Sequence, residues 1–308
     1  MIINFVISKD HSSRIFCDIF QRFIDAPGIH VLISEKLVAG CDIYHYHRPQ
    51  LERDLPSQSV VTVHHDLDDP DPFVSFNRFL PAYRAAHTIV CLNSLQKKWL
   101  STNGLDNTVV IPHGYDADLL YKKSISPYSD GKKVTIGIAS KRYDRRFKGE
   151  VYIYDLLDVL SPERVKFLLV GEGRSEDAFY MRSLGFDVEC FEQVPYKVFN
   201  SFYHSIDVLL MSSTFEGGPA NLPEAVATGT PVFATPVGMV PDMIVDGVNG
   251  LVLSGRVADD SRRIMDFINN NNGLYDRLCN GAAVANSAPT WGEVVQKHIE
   301  LYMSIKEG

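Results

Sequence analysis

The sequence predicts an α/β protein made of two doubly wound domains, and three observations lead to that prediction. The 308 residues exceed one ordinary domain and suit two of them. Short apolar runs of strand length alternate with stretches of helical spacing along the chain, which is typical of parallel sheets. The alternation stops at a polar segment, residues 121–133, and then starts again, which indicates a linker.

The first predicted domain covers residues 1–122 and contains apolar runs that we predict to be strands, at residues 2–7, 30–34, 42–46, 60–63, 88–92 and 109–111. Helices are predicted at residues 74–86 and 94–101. A further helix follows the first strand, with Ser12 or Ser13 as its cap, because Phe16, Phe20 and Phe23 recur at helical spacing.

The second predicted domain covers residues 131–289 and restarts the same alternation. Its predicted strands lie at residues 134–138, 167–170, 206–211 and 231–234. A helical pattern closes the chain at residues 290–302. Parallel sheets bind ligands at the carboxyl ends of their strands, so we expect functional residues directly after the strands.

Composition narrows the class of function. The chain is 45% hydrophobic and 22% charged with a net charge of −8, so it has no basic excess and nucleic acid is not an expected partner. The five cysteines are scattered and form no CxxC pair, which predicts reduced thiols in a cytoplasmic protein and no zinc site. The apolar run at residues 2–7 is too short for a membrane span, so we expect no transmembrane segment.

A glycine loop between a strand and a helix is the most informative stretch of the chain. The strand at residues 206–211 is followed by Gly217 and Gly218, and a helix is predicted to begin at Asn221 as its N-cap and to end at Gly229. Such a loop directs backbone N–H groups and the positive end of a helix dipole at its ligand. The pattern therefore predicts an anion site, for example for a diphosphate.

Two carboxylates, Glu216 and Glu224, flank this loop. An ionised carboxylate only accepts hydrogen bonds, and sugar hydroxyls are donors, so the pair is interpreted as binding hydroxyls on either side of a diphosphate. The alternative is that Glu224 completes a capping box with Asn221 while Glu216 is a solvated loop residue.

Residues 216–232, EGGPANLPEAVATGTPV, resemble the signature of retaining GT-B glycosyltransferases of the family-four type (glycosyl transferases group 1), and residues 238–250 resemble the segment that follows it. The resemblance implies two Rossmann-like domains facing each other across a cleft, with a C-terminal helix at about residues 290–305 packing back on the first. It also implies transfer of a sugar from a nucleoside diphosphate sugar to an acceptor hydroxyl of a glycan or glycolipid, at or near the inner face of the membrane.

The resemblance also implies roles for individual residues. Glu216 would contact the transferred sugar and Glu224 the ribose, while Arg142 and Lys148 would bind the diphosphate in place of a metal. The other expected donor-binding residues of this loop are Gly217, Gly218, Pro219, Ala220, Asn221 and Leu222. A basic surface loop is the alternative for residues 141–148, where Lys141, Arg145 and Arg146 have no assigned role.

Three further positions follow predicted strands. Gly171 lies in a turn that the resemblance places near the nucleotide, and Val194 lies in the loop that would contact the base. Ile111-Pro-His-Gly-Tyr-Asp116 resembles the Pro-Asn-Gly-Val-Asp turn of the family, with His113 in place of asparagine.

His64 and His65 follow the strand at residues 60–63. Adjacent strand residues point to opposite faces, so one of the two is expected in the cleft. The match of His65-Asp66 to the family's His-Asp favours His65 as catalytic and leaves His64 as a donor-binding residue. Asp66 and Asp68 could instead form a metal-binding DxD or a helix-capping acidic loop, but the cations downstream favour a site without metal.

The motifs leave the acceptor site and two alternative functions open. Residues 8–13 stand where many relatives have a Gly-Gly loop that touches the donor, so the acceptor site is undefined. Two other functions also fit the motifs: a catalytically silent GT-B protein that binds a nucleotide sugar or a partner, and a GT-B epimerase of nucleotide sugars. Donor hydrolysis without acceptor argues against the first, and product formation without acceptor identifies the second.

Overall fold

The computed structural model describes residues 1–8, 14–47, 54–143 and 147–308, with Arg14 and Ile15 described by their backbone alone. The predicted cap at Ser12 or Ser13, the segment 9–13, and Arg145 and Arg146 lie outside the described residues. The chain divides into a first unit of Met1–Gly114, Glu216–Gly218 and Pro289–Gly308, and a second unit of Tyr115–Phe215 and Pro219–Ala288.

The described residues of the first unit form a six-stranded sheet in the order β2-β1-β3-β4-β5-β6, and each neighbouring pair is parallel. The strands are β1 (Ile2–Val6), β2 (His30–Ser34), β3 (Ile43–Tyr46), β4 (Ser59–Val63), β5 (Thr88–Cys91) and β6 (Thr108–Val110). The strands predicted for this unit are therefore confirmed, because apolar runs bounded by turn residues are reliable signals for buried parallel strands.

Helices of the first unit cover this sheet: α1 (Arg14–Ile24), α2 (Phe76–Ala85), α3 (Ser94–Thr102) and, at the end of the chain, α11 (Trp291–Glu307). Helix α11 begins with a capping box in which Thr290 and Glu293 bond each other's backbone N–H groups. It packs against α1 and β3 and contributes Trp291 and Tyr302 to the same apolar cluster as Phe5.

The described residues of the second unit form a six-stranded sheet in the order β12-β11-β10-β7-β8-β9, again with parallel pairs throughout. Its strands are β7 (Val134–Ala139), β8 (Val165–Val170), β9 (Asp187–Phe191), β10 (Val208–Met211), β11 (Val232–Ala234) and β12 (Gly250–Val252). Its helices are α4 (Glu150–Leu157), α5 (Arg174–Ser183), α6 (Phe199–Ser205), α7 (Asn221–Thr228), α8 (Val240–Met243), α9 (Val257–Ile268) and α10 (Leu274–Val284).

Strand β8 shows how the second sheet is buried on both faces. Phe167 and Leu169 belong to one apolar cluster, whereas Leu168 and Val170 belong to another. Since alternate residues of a strand point to opposite faces, an apolar core lies on each side of the sheet. This is the doubly wound arrangement that the sequence predicts.

The segment that follows Gly114 groups with the second unit, although the sequence-based boundary placed residues 115–122 in the first domain. Apolar contacts of Leu120 with the core of the second unit and two consecutive lysines join this part of the chain to that unit. Lys122 Nζ donates to the carbonyl oxygens of Val226, Ala282 and Ala285, at the ends of α7 and α10. Lys123 Nζ donates to the carbonyls of Tyr203 and Ile206 at the end of α6. Cations at helix C-termini are stabilising because they meet unpaired carbonyls and the negative end of the dipole.

The cysteines and the helices bear on two expectations from composition, reduced thiols and the lack of a transmembrane segment. All five cysteines are free thiols. Among the described residues, no helix combines the length and apolar character needed to cross a bilayer.

Five histidines form a row of ring contacts in the first unit. The His45 ring stacks on His47 at 4.2 Å between centroids and on His298 at 5.7 Å. His47 contacts His64 at 5.2 Å, and His64 contacts His113 at 6.1 Å. Burial lowers the pKa of His113 and of His298 to about 4 and holds the pKa of His45 well below its ordinary value. The rings of His45, His113 and His298 are therefore neutral at pH 7.

We expect the first unit to lose stability as the pH falls from 6.5 towards 4. The unfolded chain binds protons at histidines with an ordinary pKa near 6.5, whereas the folded chain does not, so acid favours unfolding. A pKa lowered to about 4 corresponds to a loss of about 2 kcal/mol per histidine at pH 5. Both tryptophans, Trp99 and Trp291, lie in this unit, so denaturant unfolding followed by tryptophan fluorescence measures it selectively.

The variant His298→Gln removes one of these groups and should reduce the loss of stability between pH 7 and pH 5. His30→Gln is the matched control because His30 is exposed, and it should keep the pH dependence of the parent. If His298→Gln and the parent have the same pH dependence, the buried histidines are not its cause.

Candidate functional site

Gly217 lies in close contact with the backbone at the end of β4, and Gly218 with the Leu92 side chain that follows β5, both in the first unit. A Cβ atom on Gly217 would lie 2.5 Å from the carbonyl oxygen of His64, and one on Gly218 would lie 2.5 Å from Cδ1 of Leu92. Any side chain at position 217 would therefore force backbone apart. Close packing against backbone explains Gly217, and the assignment of both glycines to the donor stays a prediction.

Three side chains hydrogen-bond the backbone of residues 216–218. Asp66 Oδ2 accepts from the Glu216 N–H at 3.3 Å, Asn93 Nδ2 donates to the Gly217 carbonyl at 2.7 Å, and His113 Nδ1 lies 2.9 Å from the Gly218 carbonyl. Burial is the main cause of a raised pKa at Asp66. The sequence predicts His113 only as part of a turn and gives no signal for Asn93.

His64 and His65 point into different surroundings, as the alternation of a strand predicts. The His64 ring contacts Phe16 at 4.8 Å, and its Nε2 lies 2.9 Å from His47 Nδ1. The His65 ring packs on Phe79 of α2 at 4.3 Å and is buried. Hence His64, and not His65, shares the row of rings that reaches His113, while the catalytic role assigned to His65 stays a prediction.

Asp66 and Asp68, the alternative metal-binding pair, lie in a tight acidic turn. Besides the Glu216 N–H, Asp66 accepts the N–H of Asp68 at 3.0 Å through its other carboxylate oxygen. Both oxygens thus bond backbone donors. Within the described part of the chain, no group of three or more histidine, cysteine or acidic side chains has the geometry to hold a metal ion.

Helix α7 of the second unit begins differently from the predicted capping pattern. Its N-cap is Ala220, which has no side-chain acceptor, and Asn221 is the first helical residue. The Asn221 amide donates to the Ala139 carbonyl at the end of β7, at 3.0 Å. The predicted N-cap at Asn221 and its capping box with Glu224 are therefore wrong, because the amide is used to join α7 to β7.

Glu224 lies in the first turn of α7 and is buried, with 7% of its surface exposed. Its Oε1 accepts a hydrogen bond from the Tyr196 hydroxyl at 2.9 Å, and its Oε2 accepts one from the Tyr203 hydroxyl at 2.7 Å. The two tyrosines therefore fix the orientation of the carboxylate.

The N-termini of α5 and α7 differ in how their N–H groups are satisfied. At α5, the Glu192 carboxylate accepts the N–H groups of Gly173 and Ser175 at 2.5 and 2.8 Å, and a hydrogen bond from the Ser175 hydroxyl, together with these two bonds, lowers its pKa. At the start of α5, a carboxylate of the chain thus takes the place that a bound anionic ligand would occupy. The N-cap of α7 is Ala220, whose side chain accepts no hydrogen bond; the predicted phosphate site at this helix start stays a prediction.

Arg142 and Lys148 have distinct surroundings. Arg142 pairs with the carboxylates of Glu176 and Asp177, at 3.3 Å from the latter. Lys148 Nζ lies over the rings of Phe147 and Tyr143, at 4.9 and 5.7 Å. Both cations are thus placed by contacts in their own loop and in α5.

Arg174 was not predicted, yet it organises the start of this basic loop. It is fully buried; its Nε and Nη2 donate to the carbonyl and hydroxyl of Ser140 at 2.9 Å each, and its Nη1 donates to Asp177 at 2.7 Å. Ser140 precedes Lys141 and Arg142, so Arg174 fixes where the loop leaves β7. Nothing in the sequence distinguishes it from a surface arginine in a first helical turn.

The remaining predicted residues occupy structural positions around α7 and β8. Gly171 lies so close to β7 that a Cβ would fall 2.2 Å from the Ser140 carbonyl oxygen, and its φ is +151°. Leu222 is completely buried in the core, Pro219 accepts the Leu222 N–H through its carbonyl, and Val194 packs against the same core. Their contacts with a donor stay predictions.

Comparison with known proteins agrees with this architecture. The sequence profile of the family described as "Glycosyl transferases group 1" matches residues 126–283. An uncharacterized glycosyltransferase of Methanocaldococcus jannaschii (MJ1178) is 24% identical over 79% of this chain and 69% of its own length. The lipopolysaccharide 1,6-galactosyltransferase of Salmonella typhimurium is 29% identical in a match that covers 37% of this chain and 34% of that protein.

Among solved structures, sucrose-phosphate synthase of Thermosynechococcus elongatus superposes with a TM-score of 0.78 at 15% identity, over 99% of this chain and 98% of that one. Anabaena Alr3699/HepE, solved in complex with UDP-glucose, gives a TM-score of 0.73 at 19% identity. The superposition covers 99% of this chain and 100% of that one. At such identities the likeness establishes the fold alone, which is GT-B. With its family profile matched over half of its length, the chain belongs to the glycosyl transferases group 1 family.

Proposed function

We propose that the protein is a retaining glycosyltransferase that moves a sugar from a nucleoside diphosphate sugar to an acceptor hydroxyl. The observation that carries the proposal is Glu224, a buried carboxylate held by Tyr196 and Tyr203 in the first turn of a helix without a side-chain cap. A nucleoside diphosphate carries ribose hydroxyls, which need a hydrogen-bond acceptor, and a diphosphate, which the N-terminus of a helix can bind.

In this proposal three charged groups of the second unit, Glu224, Arg142 and Lys148, each have a defined partner on the nucleotide. Glu224 accepts hydrogen bonds from the ribose hydroxyls, and the N-terminus of α7 faces the diphosphate. Arg142 and Lys148 neutralise the charge that develops as the diphosphate departs, so no metal is required. Arg142 already pairs with Glu176 and Asp177, and its five N–H donors allow it to bind a phosphate as well.

The chemical step needs no residue to act as a covalent nucleophile. The bond between the anomeric carbon and the phosphate oxygen breaks while the acceptor oxygen bonds to that carbon on the same face. The acceptor hydroxyl passes its proton to the departing phosphate. Glu216 and His65 are proposed to contact the transferred sugar, in keeping with the resemblance of their motifs.

UDP-sugars are the donors to test first, since Alr3699/HepE, a neighbour of the same fold, was solved with UDP-glucose. For the acceptor we propose a glycan or glycolipid of a surface polysaccharide, with the protein acting in the cytoplasm at the inner face of the membrane. A relative named as a lipopolysaccharide galactosyltransferase supports this class of acceptor.

A thermal-shift screen with UDP-, GDP- and ADP-sugars tests the proposal, because a ligand that binds the native state raises the melting temperature. Donor hydrolysis is then measured without acceptor. Binding without any hydrolysis or transfer would favour a silent nucleotide-sugar-binding protein, and an altered nucleotide sugar formed without acceptor would favour an epimerase.

Replacing Arg142 or Lys148 by alanine should weaken donor binding or turnover by about 2 kcal/mol or more, since each variant loses a charge-assisted bond to the diphosphate. Lys141→Ala is the matched control, because Lys141 forms an exposed ion pair with Glu172 at 2.8 Å. Calorimetry with UDP and initial rates with the donor measure the effect. Parental values for both variants would show that the phosphates bind elsewhere.

Glu224→Gln and Glu216→Gln should separate nucleotide binding from turnover. Glu224→Gln should weaken binding of bare UDP by about tenfold, or 1.4 kcal/mol, because the ribose loses a charged acceptor. Glu216→Gln should leave UDP affinity nearly intact and lower turnover, since its contacts strengthen in the transition state. Calorimetry and rates of both variants check this division, and an equal loss of UDP affinity in both would contradict it.

Activity in excess EDTA should equal activity with added magnesium or manganese, because protein cations stabilise the leaving group in this proposal. The measurement compares initial rates on the same enzyme after extensive chelation. Complete loss of activity that only manganese restores would instead assign metal binding to Asp66 and Asp68.

A further inference from the structure

We propose that Asn93 and His113 are positioning residues that hold the loop carrying Glu216 in its working conformation. The inference rests on the proposed function for the role of Glu216, but the hydrogen bonds that carry it belong to the first unit alone. Asn93 lies outside every motif that resembles the family, and His113 was predicted only as part of a structural turn.

Two consecutive carbonyl groups of this loop are each bonded by one of these side chains. Asn93 Nδ2 lies 2.7 Å from the Gly217 oxygen and His113 Nδ1 lies 2.9 Å from the Gly218 oxygen. A carbonyl only accepts, so both nitrogens donate. Together with the Glu216 N–H bonded to Asp66, three successive residues of the loop have a side-chain partner.

The protonation state of His113 suits this task. The ring is buried, with 8% of its surface exposed, and burial lowers its pKa to about 4. At neutral pH the ring carries one proton, and the bond to the Gly218 carbonyl places that proton on Nδ1. The Gly218 carbonyl thus selects the tautomer with the proton on Nδ1, and that proton in turn holds the carbonyl in place.

A loop that contains two glycines depends on hydrogen bonds to hold its backbone in one conformation. Gly217 and Gly218 allow close approach to β4 and β5, but glycine has more backbone freedom to lose than any other residue. Hydrogen bonds to both carbonyls restrict that freedom at the peptide groups that follow Gly217 and Gly218. A carboxylate that must meet a sugar hydroxyl in the transition state depends on such placement.

Asn93 has two separable roles, which makes the proposal testable. Its Oδ1 caps α3 by accepting the Gln96 N–H at 2.8 Å, while its Nδ2 bonds Gly217. Serine is also a good N-cap but has no second donor that reaches the loop. Asn93→Ser therefore preserves the helix cap and removes the loop contact.

We expect Asn93→Ser to lower turnover of UDP-glucose by about tenfold, equivalent to 1.4 kcal/mol, with UDP affinity and melting temperature near those of the parent. Asn107→Ser is the matched control, because Asn107 Nδ2 likewise donates to a backbone carbonyl in this unit, that of Ala86, at 2.8 Å. Asn107→Ser should leave turnover unchanged.

His113 allows a rescue test. Nδ1 of histidine and Nδ2 of asparagine are both one bond beyond Cγ, so His113→Asn can still donate to the Gly218 carbonyl. It should retain most of the turnover, whereas His113→Ala should lose about tenfold or more. Equal loss in both variants would overturn positioning by this hydrogen bond.

Hydrogen exchange of the peptide that contains residues 216–218 gives a readout independent of activity. It should be faster in Asn93→Ser and His113→Ala than in the parent, and unchanged in Asn107→Ser. Faster exchange in a protein that neither hydrolyses nor transfers any donor would refute the proposed function and keep the positioning role. Unchanged exchange together with unchanged turnover would refute the positioning role itself.

Discussion

Parallel pairing of the strands is the constraint on which the described structure depends. In each unit all neighbouring strands pair in parallel, so the carboxyl ends of several strands meet at one edge of the sheet. In the first unit this edge gathers His64 after β4, Asn93 after β5 and His113 after β6. In the second unit it gathers Arg142 after β7 and Gly171 after β8. Chemistry can therefore arise from short loops that are far apart in sequence but fixed by rigid strands.

Much of the fold could be predicted because its signals are local. Short apolar runs bounded by turn residues gave strands such as β1, β4 and β7 close to their observed limits. The loop and helix at residues 216–228 could be placed for the same reason, since glycine, proline and the end of the helix at Gly229 constrain the backbone directly. The family follows from this stretch, whose residue order is far more specific than its composition.

The partners of the site residues could not be predicted, because they come from distant parts of the chain. Asn93 and Gly217 are separated by 124 residues, and no periodicity connects them. The expected cap at Asn221 failed for a related reason: its amide found a better partner in the Ala139 carbonyl, and a local capping rule does not include that competitor. Buried Arg174 gives no sequence signal, since a charged residue in a first turn is usually exposed.

The carboxylate of Glu192 at the start of α5 has a consequence for which ligands the second unit admits. Because it already bonds two N–H groups there and its pKa is lowered, it stays negatively charged at neutral pH and repels any other anion. A free phosphate or a second nucleotide thus finds that helix start blocked by an internal competitor. An anion that binds to the second unit must therefore do so at a site other than the start of α5.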